Sequence, residues 1–280
     1  MHLHTLTRIR SWAVGLALVL SLASTASSAD KALTFGVVPQ FDARRLQGIW
    51  QPILDELEKR SGHEIKLVGS PNIPEFEKQL LAGDFDFAYM NPYHLLKAHE
   101  ARGYTPLVRD VGRTLHGIVV VRKDSTIEQV EQLDGRSVAF PAPNALGASL
   151  IPRTEFKEIY KIDIEPAYVR SHSSVYLNVV TGQTSAGGGV QKTLQKQPEK
   201  IREMLKVIYQ TPEVAPHPVA VHPRVPDNIR EQIAQAFLQL GETVQGRKIL
   251  TRIPMKRIGD ASLADYEPLR QMGLDKYYVQ

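Results

Sequence analysis

The sequence contains no cysteine. That absence excludes a disulfide framework, a Cys-ligated zinc site, an iron–sulfur cluster and a Cys nucleophile. Beyond the N-terminus no run reaches the ~20 apolar residues that cross a bilayer, so no mature transmembrane helix is expected. An excess of one charge is also missing: 34 basic residues face 30 acidic ones, for a formal net charge of +4. No basic stripe interleaved with aromatics appears, and nucleic acid is not an expected partner. Common enzyme signatures are absent as well. There is no Gly-x-Ser-x-Gly, no His-Glu-x-x-His and no Gly-x-x-x-x-Gly-Lys-Ser/Thr. The reading is therefore a non-enzyme with no catalytic residues, no cofactor and no metal.

What is present is globular. The 280 residues are 42% hydrophobic and 23% charged, which allows one large domain or two modest ones. Residues 1–29 read as a secretory signal. Arg8 and Arg10 give a positive start, Trp12 to Ala23 a short apolar run, and Ser27-Ser28-Ala29 a small-x-small cleavage site. No Cys follows, so a lipid anchor is excluded. Removing 29 residues from 280 leaves a mature chain of 251, and losing two Arg lowers the formal charge from +4 to +2. The periplasm is the expected destination, with no membrane insertion after cleavage and a monomer as the expected state.

Strand and helix then alternate. Leu33 to Pro39 reads as a strand, Gln47 to Arg60 as a helix, Ile65 to Val68 as a strand and Ile73 to Ala82 as a helix. Phe85 to Tyr89, Ile118 to Val121, Ser137 to Phe140 and Ala167 to Val169 are further strands. Tyr93 to Arg102, Ala145 to Tyr160 and Asn228 to Leu240 are further helices. This order predicts an α/β fold with parallel sheets. Thr211 to Pro226 is rich in proline and reads as a stretched crossing. The pattern divides the mature chain into residues 30–116 (lobe 1), 117–210 (lobe 2) and 211–280 (a crossing and a return to lobe 1). A ligand cleft is expected between the lobes, outside the carboxyl ends of strands.

Loops that end a strand and begin a helix are the candidate site. They are Pro39-Gln40-Phe41, Tyr89 to Tyr93, Pro143 to Ser149 and Ser171 to Ser174. Helix starts carry unpaired N–H groups and partial positive charge, which suit an oxoanion, but the same residues serve as ordinary caps. Asn144 fits either a cap or an amide donor. Tyr89 and Tyr93 fit a ligand clamp or the core. Such a pair also occurs at ferric-iron sites, a reading given little weight. His172, among three serines, fits a cation facing an anion or a helix-cap neighbour. His217 and His222 read as surface residues of the crossing. Gly187-Gly188-Gly189 would let backbone approach a ligand but lacks nucleotide-motif spacing.

Phe35-Gly36-Val37-Val38-Pro39-Gln40, the Trp50 helix ending at Arg60-Ser61-Gly62, and Phe85-Asp86-Phe87-Ala88-Tyr89-Met90-Asn91-Pro92 together resemble the phosphate/phosphite/phosphonate-binding proteins of ABC importers. The Gly117 to Lys123 strand, the Leu133-Asp134-Gly135 turn, the His172 helix start and the Thr211 to Pro226 crossing extend the likeness over nearly the whole mature chain. The resemblance implies a two-lobed type II periplasmic-binding-protein fold that closes on ligand by hinge bending. It implies a phosphonate, phosphite or phosphate-like cargo and an ABC permease as partner. A ligand-sensing partner of a membrane sensor kinase is the alternative. The implied ligand residues are Gln40, Tyr89, Asn91, Tyr93, Asn144, Ala145, Leu146, Gly147, Ala148, Ser149 and His172. Where such proteins carry a Ser-Thr-Ser run, this chain has Ala145-Leu146-Gly147, and their amine-contacting Asp has no counterpart. Each lost hydroxyl removes roughly 1 kcal/mol if it made a net hydrogen bond, enough to change selectivity.

Overall fold

The structure is a computed structural model and describes residues 32–253 and 255–279. The signal expected at 1–29 lies outside the described residues. Among the described residues no helix is long and apolar enough to cross a membrane.

The N-terminal half alternates as the periodicity predicts. Strands β1 (Leu33–Val37), β2 (Ile65–Val68) and β3 (Phe87–Tyr89) alternate with helices α1 (Ala43–Ser61), α2 (Ile73–Ala82) and α3 (Pro92–Arg102). The α1 stripe Trp50, Ile53, Leu54 and Leu57 is fully buried against the sheet. Asp42 caps its start by accepting from the Arg45 N–H at 3.0 Å. Pro52 sits inside this helix and cannot donate to Gly48. The Gly48 carbonyl accepts from Arg252 instead, at 3.2 Å.

Strand β4 (Thr105–Asp110) leads out to β5 (Gly117–Arg122), β6 (Ser137–Phe140), helix α4 (Ile151–Glu158), β7 (Glu165–Tyr168), helix α5 (His172–Val180) and β8 (Ala186–Val190). Short helices α6 (Gln191–Gln195) and α7 (Glu199–Glu203) precede β9 (Leu205–Gln210). The chain then returns through β10 (Val219–Val221), α8 (Asp227–Glu242), α9 (Val244–Leu250) and β11 (Ile258–Asp260).

Two sheets result, ordered β11-β4-β10-β3-β1-β2 and β7-β6-β8-β5-β9. Both are mixed, which corrects the expectation of purely parallel sheets. In the first, β10 runs antiparallel between β3 and β4. In the second, β5 runs antiparallel to β8 and β9. Thr211 to Pro226 is thus only partly a crossing. Its Val219-Ala220-Val221 core is a buried central strand, with Pro218 and Pro223 outside the ladder.

The β5 run Ile118-Val119-Val120-Val121 is buried on both faces. Val119 and Val121 pack with Phe140 and Phe156, while Ile118 and Val120 pack with Tyr176 and Val179. Two segments join the sheets. Leu115 and Val214 exchange both backbone hydrogen bonds at 2.9 Å, and the Gly117 N–H donates to the Thr211 hydroxyl at 2.8 Å. These paired crossings form the waist between the two sheets.

Candidate functional site

Three strand ends and one crossing meet at the waist. Val38 and Gln40 follow β1, Asn91 follows β3, Ala145 to Ala148 follow β6, and His217 comes from the returning crossing. With Ile73, His172 and Val190 they enclose a tight pocket of about 20 Å³.

The segment after β6 starts as a single π-helical turn, Leu146–Leu150, running into α4. This replaces the uniform helix expected from Ala145 onward. The Ser149 and Leu150 N–H groups both reach the Ala145 carbonyl, at 2.7 and 3.1 Å. The N–H groups of Leu146, Gly147 and Ala148 have no acceptor among the described residues. Such a turn presents partial positive charge without any side chain.

Glycine makes the turn possible. A Cβ on Gly117 would lie 1.6 Å from the Gly147 carbonyl oxygen, and one on Gly188 would lie 1.9 Å from that of Ala148. Gly117 at the start of β5 and Gly188 in β8 let the turn's carbonyls press on the sheet. Gly187-Gly188-Gly189 therefore serves packing under the turn and α5, not a backbone approach to ligand. The Tyr176 hydroxyl would sit 2.1 Å from a Cβ on Gly189.

His172 is the first residue of α5, after the Ser171 cap. It is only 3% exposed. Burial pushes its pKa down to about 4, so the ring is neutral near pH 7, not the cation considered from sequence. Its Nδ1 lies 3.3 Å from the Thr193 hydroxyl, which donates to the Val190 carbonyl at 2.8 Å. The Nε2 atom has no protein partner among the described residues. His217, read from sequence as a surface residue, is 7% exposed and stacks on Tyr89 at 5.3 Å between centroids. Its Nε2 lies 3.3 Å from the Gln40 side-chain amide. Burial first, then the nearby His94, His172 and Arg113 charges, push its pKa down to about 3.

The two asparagines are spent inside the protein. The Asn91 Oδ1 accepts from the Tyr93 and His94 N–H groups at 2.9 and 2.8 Å, capping α3, and its Nδ2 donates to the Asn144 carbonyl at 3.1 Å. The Asn144 Nδ2 donates to Glu77 at 3.0 Å and to the Val279 carbonyl at 2.7 Å, while its Oδ1 accepts from the Val279 N–H at 2.9 Å. Asn144 thus ties the second sheet's lobe to α2 and to the C-terminal segment. Glu77 also accepts from the Tyr278 hydroxyl at 3.0 Å and lies 3.1 Å from the His94 ring. Burial would raise its pKa, but His94 and these hydrogen bonds outweigh burial and hold the carboxyl below its usual range.

Other expected residues divide. Tyr93 is turned toward the C-terminal segment, its hydroxyl donating to Asp275 at 2.7 Å. Ser149 faces Arg153, accepting from its Nε at 3.1 Å, and does not line the pocket. Tyr89 lies between Trp50 and His217. It lines a second, larger cavity of about 300 Å³, which shares Gln40, Val190 and His217 with the tight pocket.

Comparison with known proteins identifies the family. A family model described as "ABC transporter, phosphonate, periplasmic substrate-binding protein" matches residues 35–266. The phosphonates-binding periplasmic protein of Escherichia coli is 24% identical over 269 residues, covering 90% of this chain and 78% of the relative. The phosphate-import protein PhnD of Mycolicibacterium smegmatis is 23% identical, covering 80% of this chain and 81% of that one. A Prochlorococcus marinus structure, PhnD1 in complex with methylphosphonate, superposes with a TM-score of 0.79 at 17% identity, covering 89% and 99% of the two chains. The sheet order, the waist and the matched span of residues 35–266 lead to one conclusion: this chain belongs to the family of periplasmic substrate-binding proteins of phosphonate ABC transporters.

Proposed function

We propose that the protein captures a small phosphorus oxoanion between its lobes and delivers it to an ABC permease. The observation that carries this reading is the convergence of the unpaired Leu146, Gly147 and Ala148 amides with the neutral His172 ring at one closed pocket. That pocket has room for little more than a water and must widen as the lobes open to admit the anion. Among the described residues no carboxylate lines that pocket. The amides donate hydrogen bonds without the desolvation cost of a buried cation, so the oxoanion supplies the charge and the fold supplies oriented dipoles. Gln40 and His217 form the wall on the side of the crossing. Asn91 and Asn144 hold the surrounding loops rather than the ligand. The family membership favours this importer role over that of a sensor-kinase partner. Cleavage after Ala29, a periplasmic monomer and the lack of turnover complete the proposal.

The test is a thermal-shift screen of the mature protein, unfolded and refolded to strip ligand. Its panel holds phosphate, phosphite, methylphosphonate, aminoethylphosphonate, sulfate and unrelated metabolites. A phosphorus oxoanion is expected to raise the melting temperature by mass action. A shift confined to compounds without phosphorus would refute the ligand class.

A further inference from the structure

The larger cavity beside the tight pocket has a one-sided charge. Its wall carries Arg113, Lys192, Lys196 and Arg252, and among the described residues no Asp or Glu lines it. Arg113 is paired with the buried Asp110 at 2.8 Å. Among the described residues, Lys192, Lys196 and Arg252 have no carboxylate partner within ion-pair distance, and Arg252 reaches only the neutral Gly48 carbonyl. Lys192 is the second residue of α6 and Lys196, four residues later, is its C-cap, a spacing that places like charges on one side and is unfavourable without a counterion. Burial, and next the Lys196 and Arg113 charges, lower the Lys192 ammonium from its ordinary value.

These cations surround a space of about 300 Å³, far larger than the oxoanion pocket it adjoins across the Gln40–His217 wall. An ammonium on the ligand would find no carboxylate there. An alkyl tail would meet Phe41, Tyr89, Leu115 and Pro216 on one side but would leave the cations uncompensated.

We infer that the cargo is a two-headed anion: a phosphonate or phosphate seated on the Leu146 to Ala148 amides and a second anionic group, carboxylate or phosphoryl, held by Lys192 and Lys196 with Arg252. The inference rests on the proposed importer reading and adds a second subsite to it. The second head accounts for a cavity that a one-carbon phosphonate would not fill.

Calorimetry with three length-matched probes tests this: 3-phosphonopropionate, propylphosphonate and 3-aminopropylphosphonate, with methylphosphonate as reference. The carboxylate probe should bind about tenfold or more tighter than the propyl probe, and the amine probe weakest, as charge-assisted hydrogen bonds require. In the double variant Lys192→Gln/Lys196→Gln the ratio of carboxylate to propyl affinity should fall toward one. Equal or tighter binding of the propyl or amine probe would overturn the second subsite while leaving the importer reading standing. A carboxylate advantage that survives in the double variant would overturn its assignment to these lysines. Failure of all four phosphonates to bind would overturn the importer reading and this inference with it.

Discussion

Two buried histidines make the ligand-free protein sensitive to acid. The ordinary imidazole pKa is 6.5, and burial lowers His172 to about 4 and His217 to about 3. A group depressed in the folded state contributes stability above its unfolded pKa and loses it as pH falls toward its folded one. Between pH 7 and pH 5 each ring takes up most of a proton when unfolded and almost none when folded. At about 1.4 kcal/mol per pH unit and per proton, over the roughly 1.5 units below 6.5, each ring costs about 2 kcal/mol. The pair removes about 4 kcal/mol from a total stability on the order of 5–15 kcal/mol.

The assay is urea unfolding at pH 7 and pH 5 at constant ionic strength. It compares the mature wild type with His172→Gln and His217→Gln. Other groups titrate in this window, so the informative quantity is the difference between proteins. Each variant should lose about 2 kcal/mol less than wild type between the two pH values. An oxoanion seated at His172 would favour its protonated form, so saturating ligand should also shrink the acid loss of the wild type. Identical losses in all three proteins would refute the argument that these rings are buried and neutral.

The interlobe tie and the glycine floor give further tests. Asn144→Ala removes the donor to Glu77 and both bonds to Val279, and should destabilise the protein by about 2–4 kcal/mol. It should also enlarge the radius of gyration in small-angle scattering; an unchanged melting temperature and radius would show that Asn144 does not hold the lobes. Gly117→Ala places a methyl where the Gly147 carbonyl sits, 1.6 Å away, and should cost about 3 kcal/mol while weakening oxoanion affinity as the turn shifts. Wild-type stability and affinity in that variant would contradict the close approach of turn and sheet.

How much of this was legible in the sequence depended on the range of the causal contact. The helices α1, α2 and α8 follow from apolar spacing and their ends, and β5 from its run of β-branched residues. Strands β10 and β11 were not legible. Each is three residues long, and each owes its pairing to strands more than a hundred residues earlier in the chain. Strand β4 carries Pro106 and no clean alternation. The π turn at Leu146 looks like ordinary helix in sequence, because what selects it is the room left by Gly117 and Gly188 on two other strands.

The site divides in the same way. Ala145 to Ala148, Asn91, Gln40 and His172 were legible as residues at strand-to-helix junctions, and they meet at one pocket. The side-chain roles of Asn144 and Tyr93 were not, since Val279 and Asp275 take them from the far end of the chain. His217 was missed because Pro216 and Pro218 make its segment read as exposed, whereas they stretch it across the waist and bury the ring on Tyr89.

The most direct test of the central claim is an amide NMR titration of the isotope-labelled mature protein with methylphosphonate. The Leu146, Gly147 and Ala148 amides and the His172 ring should shift most, and saturate together with the calorimetric binding curve. Saturable binding that leaves those three amides unmoved would contradict that claim.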